Sequence, residues 1–238
     1  MIILALDSTA KAAAVALLDG EKLLAKEMHD DGNTHSCTLL PMVERLLAAN
    51  SLTVDDIDVF AASAGPGSFT GVRIGAATVK GLAFGRNKPC AAVSALHALA
   101  YNLRGRDGVV CALMDARRGQ FYTALFRVEN GKVARLTPDA AKSGEEIAAE
   151  ITTYGHVTLV GDGAEVALPY FEGCDVSLAP AECLLADGES VALCALEMYN
   201  AGQTVSDAAF APTYLRLPQA ERERLEKEKL QKEGNFER

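Results

Sequence analysis

Basic residues are scarce in this chain. Twenty-three Lys and Arg stand against 32 Asp and Glu, giving a formal net charge of −9 and a pI of about 5.0. Counterion release from phosphates needs clustered positive charge, so tight nucleic-acid binding by this chain alone is not expected. Paired metal ligands are missing as well. The six cysteines (Cys37, Cys90, Cys111, Cys174, Cys183, Cys194) form no C-x-x-C, and His29, His35, His97 and His156 share no short spacing. Zinc and iron sites draw on closely spaced His or Cys, so no metal and no cofactor is expected. Cys90 and Cys111 sit among apolar neighbours and read as small buried hydrophobes in a reducing compartment. Long hydrophobic runs are also lacking. The apolar N-terminus, residues 2–6, stops at Asp7 without a basic flank, too short for a signal peptide or a membrane span. The expected setting is cytoplasmic.

What is present is a globular composition: 238 residues, 49% hydrophobic and 23% charged. At about 150 residues per domain, one or two domains are expected. A chain of this size buries roughly 70% of its unfolded surface, enough for a core without staples. Residues 2–6 read as a strand buried on both faces. Residues 13–18 and 22–28 follow as strands around the hairpin turn Asp19-Gly20. Residues 35–50 carry Leu39, Leu40, Val43, Leu46 and Leu47 at helical spacing, with Pro41 easiest to place in the first turn. A strand over 57–63 runs into Gly65-Pro66-Gly67, a helix over 69–84 follows, then a strand over 90–93 and a helix over 94–103. Past the segment 104–108 the order begins again, with strands over 109–114, 120–128 and 157–160. Ser143 and Glu146 form a capping box for a helix reaching about 153, and a last helix covers 189–200. Asp7 and Ala16-Leu17 are matched by Asp115 and Ala124-Leu125 at the same offsets, and Gly65-x-Gly67 by Gly161-x-Gly163. The pattern points to a duplication: an N-terminal half over 1–105, a C-terminal half over 106–218 and a charged tail over 219–238, with a ligand cleft between the halves.

The run Gly65-Pro66-Gly67-Ser68-Phe69-Thr70-Gly71-Val72-Arg73 is the sharpest motif. Its glycines permit close backbone approach, and Ser68 or Thr70 can cap the following helix, whose N–H groups could hold an anion. A tight strand-to-helix turn explains it equally well. It is not a Walker loop, since no Lys-Ser/Thr pair follows. Gly71 with Gly75, and Gly81 with Gly85, repeat at one-turn spacing. Each weakens the helix by about 1 kcal/mol against alanine, so something packs close, and a second helix, including one from a partner, is favoured over the chain's own sheet. Asp7-Ser8-Thr9 occupies the place of a phosphate loop but lacks its glycine, so Asp7 is either a phosphotransfer residue or a strand terminator bonded to local N–H groups. His97, between apolar neighbours, reads as a packed residue. No G-x-S-x-G elbow is present. The tail over 219–238 carries i, i+4 pairs of Glu and Lys and reads as a solvated helix.

Asp7-Ser8-Thr9, Leu40-Pro41, the run from Gly65 to Gly75, Gly81-Leu82-Ala83 and Val93-Ser94-Ala95-Leu96 closely resemble the TsaB (YeaZ) family over roughly residues 1–215. The resemblance implies an α/β, actin-like ASKHA (ribonuclease H-like) fold of two duplicated halves with mixed sheets flanked by helices. It implies a part in making N6-threonylcarbamoyladenosine beside the anticodon of tRNAs reading codons that begin with A. The partners it implies are the catalytic subunit TsaD in a heterodimer and the ATPase TsaE. A homodimer is implied when the chain is alone, and tRNA would be met through the complex rather than directly. TsaD-like proteins carry a metal-binding His-x-x-x-His after the Lys-Pro strand; aligned through Asn87-Lys88-Pro89, those positions here hold Ala95 and Leu99. The implied role is therefore a non-catalytic subunit. The expected interface is His35, Leu39, Val43 and Leu46 on the first helix with Gly71, Ile74, Gly75, Thr78 and Leu82 on the second. The rivals are an ASKHA phosphotransferase or ATPase using Asp7 and the cleft, and a metallopeptidase, which would need ligands that Ala95 and Leu99 do not supply.

Overall fold

The computed structural model describes residues 1–30 and 34–216; the 219–238 segment expected to be helical lies outside them. The strands β1 (Ile2–Asp7), β2 (Ala13–Asp19) and β3 (Lys22–His29) run antiparallel, and β4 (Val59–Gly65) and β5 (Cys90–Ser94) add parallel on the far side of β1. The sheet order is β3-β2-β1-β4-β5. Beyond it, β6 (Gly108–Asp115), β7 (Gln120–Glu129) and β8 (Lys132–Arg135) repeat the antiparallel lead, with a short β9 (Ala140–Ser143) also paired to β7. β10 (Val157–Val160) and β11 (Val176–Leu178) repeat the parallel addition, giving β11-β10-β6-β7-β8. The two orders superimpose strand for strand once β9 is set aside, so the duplication expected from Asp7/Asp115 and the paired G-x-G turns is present in the topology.

Alternation along the strands sends side chains to opposite faces, and here both faces are covered. Leu4, Leu6, Val15 and Leu17 face α1 (His35–Ala49) and α2 (Phe69–Ala83), which bury Leu39, Met42, Val43, Leu46, Ala76 and Val79 against them. Ile3, Ala5, Ala16 and Leu18 face the other way, onto a middle layer made of α3 (Ala95–Tyr101) and α6 (Gly188–Asn200). The inner face of the second sheet, with Val110, Ala112, Ala124 and Phe126, closes the same core. Its outer face, with Cys111, Leu113 and Leu125, is covered by α4 (Gly144–Ile151) and the short α5 (Ala164–Ala167). The molecule is thus five layers, helices and sheets alternating, with α3 and α6 shared by both sheets.

Most expected elements are found within two residues of their expected ends. Ser143 and Glu146 form their reciprocal capping box at α4, and the Asp19-Gly20 hairpin places Gly20 at φ +59. Pro41 is a correction: it lies in the second turn of α1, not the first. Pro41 is exposed there, as is Cys37, the residue whose carbonyl loses its helical donor. β8 and β9 were not expected, because four-residue edge strands of mixed polarity carry too little alternation to stand out. All six cysteines are free, and burial pushes the thiols of Cys90 and Cys111 up to about 11 and about 12.

Candidate functional site

The carboxyl ends of β1, β4, β6 and β10 converge between the two halves, the place where open α/β sheets take ligands. The cleft there has a volume of about 650 Å³. One wall is the first-half loop Thr9, Ala10 and Lys11 together with Gly67, Ser68, Phe69 and Thr70; the other is Asp115, Ala116, Arg117 and Asp162 of the second half.

The two walls are built alike. Asp7 Oδ1 accepts the Thr9 N–H at 2.8 Å, and Asp115 Oδ1 accepts the Arg117 N–H at 2.7 Å. Gly65 and Gly161 adopt φ +118 and +111, the left-handed side that favours glycine. A Cβ on Gly67 would fall 2.5 Å from the Thr9 carbonyl oxygen, and one on Gly163 would fall 2.9 Å from the Asp115 nitrogen. Each G-x-G turn is therefore pressed against the loop that follows the first strand of its own half.

The walls differ in what they present. Asp7 is 1% exposed and does not line the cleft. Thr9 covers it, donating from both its N–H and its Oγ1 to Oδ1, so Asp7 terminates its strand as a local acceptor. Burial raises its pKa, opposed by hydrogen bonding from Ser63 and Thr9. On the other wall, burial raises the Asp162 carboxyl, with Asp115 and Asp7 adding to the rise through like charge. Asp162 is the middle residue of Gly161-x-Gly163 and was not singled out from the sequence; its position in the repeated turn was the available signal. Arg117 lies at φ +65 on a tight hairpin between β6 and β7.

The Gly65–Arg73 run forms a tight strand-to-helix turn. Ser68 caps α2 by accepting the Gly71 N–H at 3.3 Å. Pro66 is buried, and Thr70 is exposed and faces the cleft. The segment after α6 lies across this turn. Thr213 donates its N–H to the Ala64 carbonyl at 2.7 Å, and a Cβ on Gly65 would meet the Thr213 oxygen at 2.4 Å. Tyr214 stacks on Phe69 with centroids 4.3 Å apart, and Arg73 lies over Phe69 at 4.1 Å while its Nε donates to the Tyr214 hydroxyl. Arg216 then reaches the Ala116 carbonyl at 2.9 Å, joining the two walls.

Several residues expected on a partner-facing surface face inward instead. Leu39, Val43 and Leu46 are at most 5% exposed and belong to the chain's own core. His35 is half-buried, with Nε2 bonded to the Ala10 carbonyl at 2.8 Å. Gly71 and Gly75 serve a close approach, but to Ser8 rather than to a second helix. Added Cβ atoms would lie 1.9 Å from the Ser8 carbonyl oxygen and 2.7 Å from its Oγ. The reason is geometric: the apolar stripe of an amphipathic helix is spent on its own sheet, so the stripe read from periodicity is the inner one. The outer faces of α1 and α2 present Leu40, 51% exposed, with Ala48, Ala77 and Gly81 exposed and Ile74, Thr78 and Leu82 half-buried; Phe84, 75% exposed, closes the end of α2. At the start of α3, Ala95 and Leu99 are 2% and 3% exposed, and His97 stacks on Phe126. Burial, then Arg135, lowers the His97 pKa.

Comparison with known proteins gives a consistent picture. Residues 29–181 match the family model described as TsaD: tRNA N6-adenosine threonylcarbamoyltransferase. The chain is 34% identical over 221 residues to the tRNA threonylcarbamoyladenosine biosynthesis protein TsaB of Escherichia coli, covering 91% of this chain and 95% of that one. To the Bacillus subtilis TsaB it is 38% identical over 139 residues, which span 61% of that relative. Among solved structures, YeaZ from Pseudomonas aeruginosa is similar with a TM-score of 0.80 and 28% identity, over 90% of this chain and 99% of that one.

Proposed function

Because the chain belongs to the TsaB family of tRNA threonylcarbamoyladenosine biosynthesis proteins, we propose that it serves that modification as a non-catalytic subunit paired with a TsaD-type threonylcarbamoyltransferase. The observation that carries this reading is the chemistry of α3. The positions that correspond to the metal-binding histidines of TsaD-like proteins hold Ala95 and Leu99, buried and without a donor atom. Without both imidazoles that metal shell cannot be completed. The covered carboxyl of Asp7, absent from the cleft lining, argues in the same direction against phosphotransfer.

The role left to such a chain is structural. The outer faces of α1 and α2, apolar at Leu40, Ala77, Leu82 and Phe84, suit helix-on-helix docking to the related pair of a TsaD subunit, and to a second copy of this chain when TsaD is absent. A net charge of −9 suits a subunit that leaves the tRNA to its partner. A TsaE ATPase would complete the assembly in the cytoplasm, and the product would be N6-threonylcarbamoyladenosine next to the anticodon of tRNAs reading codons that begin with A. Reconstitution with tRNA, threonine, bicarbonate, ATP, TsaD, TsaE and a synthase that makes the activated threonylcarbamoyl donor tests this. Modified adenosine should form with the chain present and fall to background when it is left out; equal product in both tubes overturns the proposal.

A further inference from the structure

The second sheet carries a three-residue constellation that the reading above does not use. His156 immediately precedes β10, while Asp175 precedes β11 and Ser177 lies within it. Parallel pairing sets Val157 opposite Val176 and Thr158 opposite Ser177. That register brings Asp175 Oδ1 to 2.8 Å from His156 Nδ1, and Ser177 Oγ to 3.0 Å from His156 Nε2. An ionised carboxylate only accepts hydrogen bonds. Nδ1 must therefore carry the proton toward Asp175, and in the neutral ring Nε2 is left to accept from the Ser177 hydroxyl. This is the polarity of a nucleophile, a general base and an orienting acid.

A further donor lies beside the serine. Among the described residues β11 is the edge strand, and Ala179 donates its N–H to the Leu159 carbonyl of β10. Backbone alternation then turns the N–H of Leu178, the residue after the serine, toward the open edge. In hydrolases with a nucleophile elbow, the N–H following the nucleophile supplies an oxyanion donor. His156 and Asp175 have side chains 54% and 72% exposed, so the triad is open to small molecules.

We propose that His156, Asp175 and Ser177 form a surface hydrolytic triad that acts on small activated carboxylic esters. Ser177 Oγ attacks the ester carbonyl carbon while its proton passes to His156 Nε2. The carbon–oxygen bond to the leaving group breaks with its electron pair on that oxygen, which either takes the proton from Nε2 or leaves as the anion while Nε2 passes its proton to solvent. Water then attacks the acyl-serine with Nε2 again as base, the acid is released and Ser177 Oγ recovers a proton. The net change is ester plus water to acid plus alcohol. The triad belongs to the second half, apart from the α1–α2 face, and is independent of the docking role.

The test treats the full chain with a fluorophosphonate probe and with p-nitrophenyl acetate, and locates the adduct by peptide mass spectrometry. The expected results are an adduct at Ser177 and a burst of nitrophenol release. Ser177→Ala should abolish both, His156→Ala should reduce the adduct to background, and Asp175→Asn should slow its formation. These side chains are on the surface, so the variants should keep the parental melting temperature, and one that does not is replaced by His156→Gln or Ser177→Gly. No adduct at Ser177, or an adduct formed equally fast in the histidine variant, overturns the proposal.

Discussion

Asp7 is a carboxylate whose nearest partners are its own chain neighbours. A carboxylate at the end of a buried first strand suits phosphotransfer chemistry, but here Thr9 covers it and burial raises its pKa. The folded chain therefore holds the Asp7 proton to higher pH than the unfolded chain, which releases it near 3.8. Proton linkage then makes stability fall as pH rises from that value through the folded pKa. Asp7→Asn, which keeps an oxygen for Thr9 and does not titrate, should gain stability relative to the parent across that interval. Urea midpoints measured over a pH series will read the difference, and parallel curves for the two proteins would contradict it. Gly71 makes a steric statement of the same local kind. A methyl group there meets the Ser8 carbonyl oxygen at 1.9 Å, backbone that cannot swing aside, so Gly71→Ala should cost about 1–3 kcal/mol, the range for overpacked sites. Chemical denaturation will measure it.

At the scale of elements, α2 separates two kinds of glycine. Gly71 and Gly75 face Ser8, whereas nothing lies within 4 Å of a Cβ added at Gly81, which is exposed on the outer face. Replacing a helical glycine relieves about 1 kcal/mol of helix cost. Gly81→Arg should therefore leave the melting temperature unchanged or slightly higher while placing a charge in the middle of the proposed docking face. Co-purification with TsaD should drop at least about tenfold, the effect of a desolvated charge worth 1.4 kcal/mol or more. Undiminished association would remove this face from the interface. The periodicity of α1 and α2 was readable from the sequence, but periodicity identifies the buried stripe. A partner would be met by the exposed residues beside that stripe, Leu40, Ala77 and Gly81; Leu40 and Gly81 also sit at helical spacings, so spacing alone does not separate the outer residues from the buried ones.

The whole molecule is held by its middle layer. α3 follows the first sheet yet packs on β6 and β7, and α6 follows the second sheet yet packs on β1, β2 and β4. Lys26 of β3 pairs with Asp187 and Glu189 at the start of α6, and Arg104 reaches Glu189 as well. A Cβ on Gly188 would lie 2.7 Å from the backbone of Val15, so α6 is seated directly on β2. Neither sheet can complete its core without a helix from the other half. The fragment 1–105 alone should therefore fail to fold, giving broad amide resonances or insoluble protein, while the full chain should unfold in one calorimetric transition. A folded, monomeric fragment would contradict the shared core.

The sequence by itself determined the elements and their repetition. Short apolar runs, glycine turns and the matched offsets at Asp7 and Asp115 are local signals, and local backbone preferences acting on them fix strands, helices and hairpins. The family motif at Gly65–Arg73 was equally local and marked one wall of the cleft. Tertiary structure alone decided which groups meet. Thr9 covering Asp7, Tyr214 and Arg73 stacked on Phe69, Asp162 joining Asp115 and the inward turn of Leu39, Val43 and Leu46 all depend on segments brought together by sheet register and layer packing. The physical reason is that spacing along a chain encodes which face of an element is apolar, whereas what that face touches is set by contacts between residues far apart in sequence.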